Sequence, residues 1–244
     1  MGHSVSPDLL YGISGFCVGV LVGMTGVGGG SLMTPLLILL FGVHPTTAVG
    51  IDLLFAASTK AGGTIVHSAA RTVDWMLVSV LAIGSVPATI TTLVLLSRFD
   101  LKGVVVQHII TVTLGGVLLV TAIFLSTGKS IRTRYADRLN RLDPRTVGLF
   151  TVALGLTMGV LVTITSVGAG ATGGTVLLLL HPKMPPGRIV GSDIAHGVPL
   201  TLLAGAGHWY LGSVDWSLLG SLLVGVVRMT LAGILVIVGV RLLG

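Results

Sequence analysis

Gly19-Val-Leu-Val-Gly-Met-Thr-Gly-Val-Gly-Gly-Gly30 is the stretch that decides the fold, because Gly159-Val-Leu-Val-Thr-Ile-Thr-Ser-Val-Gly-Ala-Gly170 repeats it 140 residues later. After one inserted residue the offset becomes 141. At that offset less common residues coincide, namely Pro45 with Pro186, Asp52 with Asp193, His67 with His208, Asp74 with Asp215 and Trp75 with Trp216. Composition bias would match Gly and Val but not Asp, His and Trp in register. The chain therefore contains two related halves.

The composition is that of an integral membrane protein. Hydrophobic residues make up 52% of the 244 residues and charged residues only 9%, whereas an ordinary soluble domain has about 25% charged residues. Because so few charges cannot cover a soluble surface, we predict an all-α protein embedded in a bilayer. The single cysteine, Cys17, excludes an intramolecular disulfide and forms no metal site alone, and we expect no metal or other cofactor.

Five apolar stretches are long enough to span a membrane, which takes roughly 20 helical residues for about 30 Å of hydrocarbon. They cover residues 46–69, 75–97, 103–126, 189–211 and 216–242. Two further pairs flank the Gly-rich repeat and cover residues 9–24 with 32–41 and 147–164 with 172–180. Because the second arm of each pair is short, each pair is either two crossings or a hairpin that dips in and returns. This gives roughly seven to nine spans.

One loop indicates which side of the membrane is cytoplasmic, because cytoplasmic loops collect Lys and Arg. Residues 127–146 contain Lys129, Arg132, Arg134, Arg138, Arg141 and Arg145. With this loop inside, counting crossings puts ten basic residues inside and two, Arg98 and Lys102, outside. We predict a multi-pass protein of the cell inner (cytoplasmic) membrane, with the N-terminus outside and the C-terminus cytoplasmic. Contact with anionic lipid is the alternative explanation of the basic loop.

The two halves are predicted to insert in opposite orientations. Three full spans separate the equivalent loops at His44 and Lys183, and the second Gly-rich pair adds two crossings or none. Because the total is odd in both cases, the halves are antiparallel, as in many secondary transporters. We divide the chain into a first inverted repeat (1–101), a linking transmembrane helix with the basic loop (102–146) and a second inverted repeat (147–244).

The two Gly-rich interruptions are candidate substrate-binding tips. Broken backbone is tolerated in a bilayer where it is buried in protein or lines a cavity, and glycine lets it come close to a ligand. The following helix points its positive end at the turn, which favours an anion. The candidates are Thr25, Gly28, Gly29, Gly30 and Ser31 in the first half and Thr165, Gly168 and Gly170 in the second. The competing explanation is that these glycines only allow close helix packing.

Ionisable side chains inside the predicted spans are costly and usually functional. Lys60 and Arg228 lie near the middle of their spans, and we assign both to anion binding. Asp52 and Asp193 lie seven residues past a Pro that starts the helix, about 10 Å in and too deep for a cap. Together with His196 they are candidates for proton coupling. In the alternative interpretation, the aspartates pair with the two cations and only hold helices together.

Other polar residues have structural explanations. His67 and His208 fall near span ends, where an interfacial hydrogen bond is a commoner role than a proton relay. Asp74-Trp75 and Asp215-Trp216 look like helix N-caps followed by an interfacial aromatic residue.

The motifs are similar to those of one family of membrane transporters. They are Thr25-Gly26-Val27-Gly28-Gly29-Gly30 after an apolar helix, then Pro35, then Val49-Gly50-Ile51-Asp52, and the Gly-x-Val-Asp-Trp ending at residues 212–216. In this combination the chain resembles the TauE/SafE sulfite exporter family over nearly its whole length. The resemblance implies transport of sulfite, sulfoacetate or a related small organosulfur anion, driven by an ion gradient. The second half departs from the Gly-rich form at Ser166 and Ala169.

The leading hypothesis is a secondary transporter that moves a small anionic substrate by alternating access, coupled to a proton or a sodium ion. Membrane lipids surround it, and whether it forms an oligomer stays open. A non-transporting membrane scaffold or accessory subunit is the alternative function. An enzyme is disfavoured because the sequence shows no nucleophile beside a base and no metal-ligand cluster. Nucleic acid is not expected as a partner, since no basic surface with interleaved aromatic residues occurs.

Overall fold

The structure is a computed structural model, and it describes residues 30–101, 103–139, 143–168, 171–225 and 227. All regular structure in these residues is helical. In chain order the helices are α1 (Gly30–Leu39), α2 (Pro45–Ala69), α3 (Trp75–Leu96), α4 (Val104–Leu139), α5 (Pro144–Thr165), α6 (Ala171–Leu180), α7 (Pro186–Tyr210) and α8 (Trp216–Gly225).

Five helices in the described part of the chain are long and apolar enough to cross a membrane. They are α2, α3, the Val104–Phe124 part of α4, α5 and α7. The starts follow from local sequence, since Pro45, Pro144 and Pro186 occupy the first turn, where a missing N–H costs nothing. The prediction of an all-α protein with several membrane-length helices is confirmed for the described residues, and the total of seven to nine spans stays a prediction.

One predicted boundary is wrong. We expected the third long apolar stretch to end near residue 126 and to lead into a loop, but helix α4 continues to Leu139. Hydropathy marks where a helix leaves the hydrocarbon, whereas the helix itself ends only where its backbone hydrogen bonding ends. Residues 129–139 contain Lys, Arg, Ala and Leu, which are good helix formers in water, together with Ser, Ile, Thr, Tyr and Asp.

The second Gly-rich interruption breaks the helix as predicted. Helix α5 ends at Thr165, and the chain turns through Ser166 with φ 59° and Gly168 with φ 131°. Helix α6 then begins at Ala171 and has 10 residues, about 15 Å, which is half of the hydrocarbon thickness. Ser166 is a non-glycine residue in the left-handed region, a conformation that concentrates at functional sites.

The internal repeat also sets the helix bounds. Helix α1 has the length of α6 and helix α2 that of α7, and each pair starts and ends 141 residues apart. The turn after each long helix is alike too, with positive φ at the equivalent residues Arg71 (55°) and Gly212 (74°). Both predicted N-caps form, because Asp74 Oδ1 accepts from Met76 and Leu77 N–H and Asp215 Oδ1 accepts from the N–H groups of residues 217 and 218.

Helices α2 and α7 pack against each other through reciprocal contacts. A Cβ atom on Gly50, near the start of α2, would lie 3.2 Å from His208 Cβ, near the end of α7. The equivalent Gly191, near the start of α7, would bring a Cβ atom within 3.0 Å of His67 Nδ1, near the end of α2. The two helices therefore run antiparallel, with each glycine fitting the turn that follows the other helix.

The loops gather at two opposite ends of the helix bundle. At one end, the loops before α3, α5 and α7 and the first turns of these helices line a cavity of ≈ 590 Å³, whose lining includes Asp74, Thr151, His181, Lys183 and Arg188. At the other end, the start of α2 and the turns after α3 and α7 surround a smaller cavity of ≈ 260 Å³. The predicted topology is compatible with this grouping. The inverted arrangement of the halves and the end that faces the cytoplasm stay predictions.

Helices α3 and α5 approach closely at small residues. Gly84 lies against the backbone of Val152, Gly155 against that of Leu81, and Gly159 against Ser85, at distances that leave no room for a side chain. Such contacts are the usual way in which membrane helices pack without a hydrophobic driving force between them. This packing holds α3 beside the centre formed by α2 and α7.

Candidate functional site

Two aspartates lie buried in the α2–α7 pair. Asp52 is 0% exposed and Asp193 is 4% exposed. Asp52 Oδ2 accepts a hydrogen bond from Thr34 Oγ1 of α1 at 2.5 Å. On the other side, Gly174 of α6 faces Asp193, since a Cβ atom there would lie 3.8 Å from Asp193 Oδ2. Each carboxylate therefore meets the short helix of its own half.

Several buried polar atoms around these aspartates have no hydrogen-bond partner among the described residues. They are Asp52 Oδ1, Asp193 Oδ1, His196 Nδ1 and Ser166 Oγ. Buried polar atoms are normally paired, because leaving one unpaired costs about 1–3 kcal/mol. A group of such atoms on elements that meet at the interruption retains the capacity to bind a proton or a polar solute.

Lys60 supplies a positive charge beside the two carboxylates. It is partly buried, and Asp193, Asp52 and His196 are all within electrostatic range of it. Yet no carboxylate oxygen among the described residues lies within the 4.0 Å of Lys60 Nζ that an ion pair requires, whereas Arg188 does pair with Asp74 at the bundle end. The Lys60 ammonium instead lies against the backbone of Gly197 on α7. With no carboxylate bound directly, it keeps N–H donors for another anion.

His196 joins α7 to α3. It is 0% exposed, and its Nε2 lies 2.8 Å from Ser85 Oγ, with the donor set by the histidine tautomer. Sequence reasoning named His196 but missed both Ser85 and Gly197. Neither has a local signal, because a serine or glycine within an apolar helix looks the same whether it packs or binds.

The tip residues of the second half have defined positions. Thr165 Oγ1 donates to Leu161 O at 2.7 Å and accepts from Val167 N at 3.1 Å, so its hydroxyl closes the turn. Gly168 O accepts from Gly173 N, which ties the turn to the first residues of α6. The backbone of the second tip is thus held from both sides.

The structure brings some predicted site residues together and leaves others outside its reach. Asp52, Asp193 and His196 are buried, and Lys60 is partly buried within electrostatic range of all three; we call these four residues the charged centre. Gly30 is the first residue of α1. Thr25, Gly28, Gly29, Gly170 and Arg228 lie outside the described residues, as does the side chain of Ser31.

His67 and His208 are tied to their neighbours. His67 Nδ1 is bonded to Thr72 Oγ1 at 2.8 Å, and the equivalent His208 Nδ1 to Ser213 Oγ at 3.2 Å. His208 is fully buried, and its Nε2 also bonds Thr163 O at 2.9 Å. These bonds fix the turns that receive Gly191 and Gly50, which is a structural role.

No group of three or more His, Cys, Asp or Glu side chains suited to a metal ion occurs among the residues that the structure describes. The charged centre contains two carboxyl groups, an amino group and an imidazole, which can bind protons or ions.

The broken helix α5–α6, beside buried charges in a bundle of several membrane-length helices, is typical of helical membrane transporters. Comparison with known proteins gives the same class: the family model "Sulfite exporter TauE/SafE" matches residues 11–242. The chain belongs to the TauE/SafE family of membrane transporters. This membership confirms the resemblance and the expectation that the protein is not an enzyme.

Two curated relatives come from Bacillus subtilis (strain 168). The probable membrane transporter protein YjnA is 36% identical over 222 residues, which cover 91% of this chain and 87% of the relative. The probable membrane transporter protein YunE is 36% identical over 70 residues, which cover 29% of this chain and 26% of that relative. No solved structure matches the chain.

Proposed function

We propose that the protein moves a small sulfur-oxide or organosulfur anion, such as sulfite or sulfoacetate, by alternating access, with the charged centre as the binding site. The observation that carries the proposal is Lys60, a cation at a helix–helix contact with no direct ion pair in the described structure. A charge inside a membrane protein is costly and is usually functional. The N–H groups of the Lys60 ammonium have no carboxylate partner and can therefore donate to an anion. The sulfur chemistry of the substrate follows the family name.

Charge balance supports coupling to protons. With Asp52 and Asp193 both ionised, one lysine leaves the charged centre with a net negative charge, which opposes an anion. A proton on either carboxyl group removes that opposition. Because linked binding is reciprocal, anion binding would equally favour proton binding. Proton and anion therefore travel together in this proposal.

Inverted halves are the framework that we propose for alternating access. The reciprocal contacts of Gly50 and Gly191 support it, because a twofold axis that exchanges two antiparallel helices places equivalent turns at opposite ends. Rocking of one half against the other would open the charged centre to each side in turn. The predicted setting is the cytoplasmic membrane, with the end that carries Lys183 and Arg188 inside.

The direct test of function is counterflow of labelled sulfite and sulfoacetate into liposomes that contain the purified protein. We expect saturable exchange of at least one of them and none in liposomes without protein. A protein that is folded by circular dichroism but exchanges neither anion would contradict the proposal and favour the membrane scaffold.

The orientation is tested with two cysteines at equivalent positions. Ala70→Cys and Leu211→Cys are made separately in a Cys17→Ser background, and intact cells are treated with a membrane-impermeant maleimide. We expect labelling at position 211 only, with position 70 labelled after the cells are permeabilised. Equal labelling of both from outside would refute the inverted arrangement.

A further inference from the structure

The inference concerns the contact between Lys60 of α2 and Gly197 of α7. A Cβ atom on Gly197 would lie 2.6 Å from Lys60 Nζ, 2.8 Å from its Cδ and 3.2 Å from its Cε. The end of the lysine side chain therefore occupies the space that any other residue at position 197 would fill. Glycine is the residue that allows this position.

We infer that Gly197 is a positioning residue. Because it has no side chain, it leaves the space in which the Lys60 ammonium lies at the contact between the two halves. The inference rests on the proposed function, because it gives the ammonium the task of receiving the anion. Gly197 itself bonds no substrate through a side chain. Its effect reaches the anion through Lys60.

Neighbouring residues show why the location matters. Gly197 follows His196, which is fixed to Ser85 of α3, and its carbonyl accepts from Thr201 Oγ1 at 2.7 Å. The helix backbone is thus held, while the lysine side chain is flexible. A methyl group at position 197 would displace the ammonium rather than the helix. The distances of Lys60 to Asp52 and Asp193 would change with it.

The contact also links the halves. Lys60 belongs to the first half and Gly197 to the second. Any rocking of one half against the other therefore moves the ammonium relative to the space beside Gly197, which we call the slot. The equivalent positions are Thr201 and Ala56, which offer neither a cation nor a gap. The slot therefore exists once in the described α2–α7 pair, and it breaks the symmetry of the repeat.

The experiment is a double-mutant cycle on the full-length protein with Gly197→Ala and Lys60→Ala, measured as the KM of sulfite in counterflow. We expect Gly197→Ala to raise KM by about 10- to 100-fold, since a displaced charged group loses most of its value in orienting a ligand. In the Lys60→Ala background the same substitution should change KM less than about twofold, because nothing remains to displace. Additive effects would overturn the inference.

The matched control is Gly205→Ala on the same helix, where a Cβ atom would lie 2.7 Å from Leu54 Cδ2, an apolar contact. We expect this control to lower thermal stability. Its effects on KM and Tm should be additive with those of Lys60→Ala. Thermal unfolding of all variants separates the two proposals: if wild type transports no anion, the function proposal fails, while coupling between Lys60 and Gly197 in Tm still tests the contact. Where sulfite is transported, an unchanged KM in Gly197→Ala would overturn the inference. Where no transport is detected, additive effects of Gly197→Ala and Lys60→Ala on Tm would overturn it.

Discussion

Helices α2 and α7 are the same element twice, yet they do not carry the same chemistry. Each begins at a proline, places an aspartate seven residues on, and ends in a histidine that bonds the following turn. In α7 the positions of Phe55, Ala56 and Lys60 are taken by His196, Gly197 and Thr201.

The shared and unshared residues have different roles in our proposal. Shared residues set helix bounds, caps and the reciprocal packing, all of which both halves need in order to fit each other. The residues that are not shared bring the cation, the gap that receives it and the imidazole. In the proposed function, the first half supplies the cation and the second half supplies the gap and the imidazole, so the two halves contribute differently to the site.

The largest effect is expected at the shared aspartates. Asp52→Asn or Asp193→Asn replaces a titrating group with a neutral one of the same shape, so sulfite accumulation driven by a pH gradient should fall about 100-fold, while counterflow persists. Both rates are measured in the same liposomes. Loss from one substitution and none from the other would assign coupling to a single half.

A smaller effect is expected when the unshared imidazole is made like the first half. His196→Phe removes the bond to Ser85 and the imidazole together, and we expect gradient-driven transport to fall about tenfold. Ser85→Ala, which removes only the partner hydroxyl, should cost less than His196→Phe. Equal losses in the two variants would show that the hydrogen bond, rather than the imidazole, is what matters.

The equivalent caps give a test on stability. Asp74→Ala and Asp215→Ala each remove a cap that satisfies two N–H groups, which should cost about 1 kcal/mol in unfolding free energy. Asp74→Ala should cost more, because Asp74 also pairs with Arg188 at 3.2 Å. Thermal melts in detergent, with Arg188→Gln as the control, measure the difference. A more damaging Asp215→Ala would contradict it.

The smallest effect concerns pH at the bundle end. Burial lowers the pKa of His181 below its usual 6.5, with Asp74 opposing the shift. The folded state then binds fewer protons than the unfolded state. The contribution of neutral His181 to the free energy of unfolding is therefore present above about pH 6.5 and is lost as pH falls through the lower folded pKa. His181→Gln should flatten the fall of Tm between about pH 7 and pH 5. An unchanged slope would contradict the prediction.

Much of the fold was predictable because its signals are local. Apolar length, Pro45 and Pro186 at helix starts and the aspartate caps lie within a few residues of the boundaries that they set. Because Asp52 and Asp193 are equivalent in the repeat, predicting that one is buried predicts the same for the other. The bond between His196 and Ser85 and the fit of Lys60 to Gly197 join helices far apart in sequence. These two contacts have no counterpart in the other half, so no sequence pattern predicts them.

The central claim is that one unshared cation, on a shared scaffold, receives the anion. Sulfite counterflow with Lys60→Met and with Thr201→Ser, substitutions at equivalent positions, tests it most directly. We expect Lys60→Met to raise the KM of sulfite about 100-fold, because it removes the charged partner of a buried anion. Thr201→Ser keeps the hydroxyl that donates to Gly197 O and should change KM less than about twofold. Equal KM values in Lys60→Met and wild type, with both proteins folded, would contradict the claim.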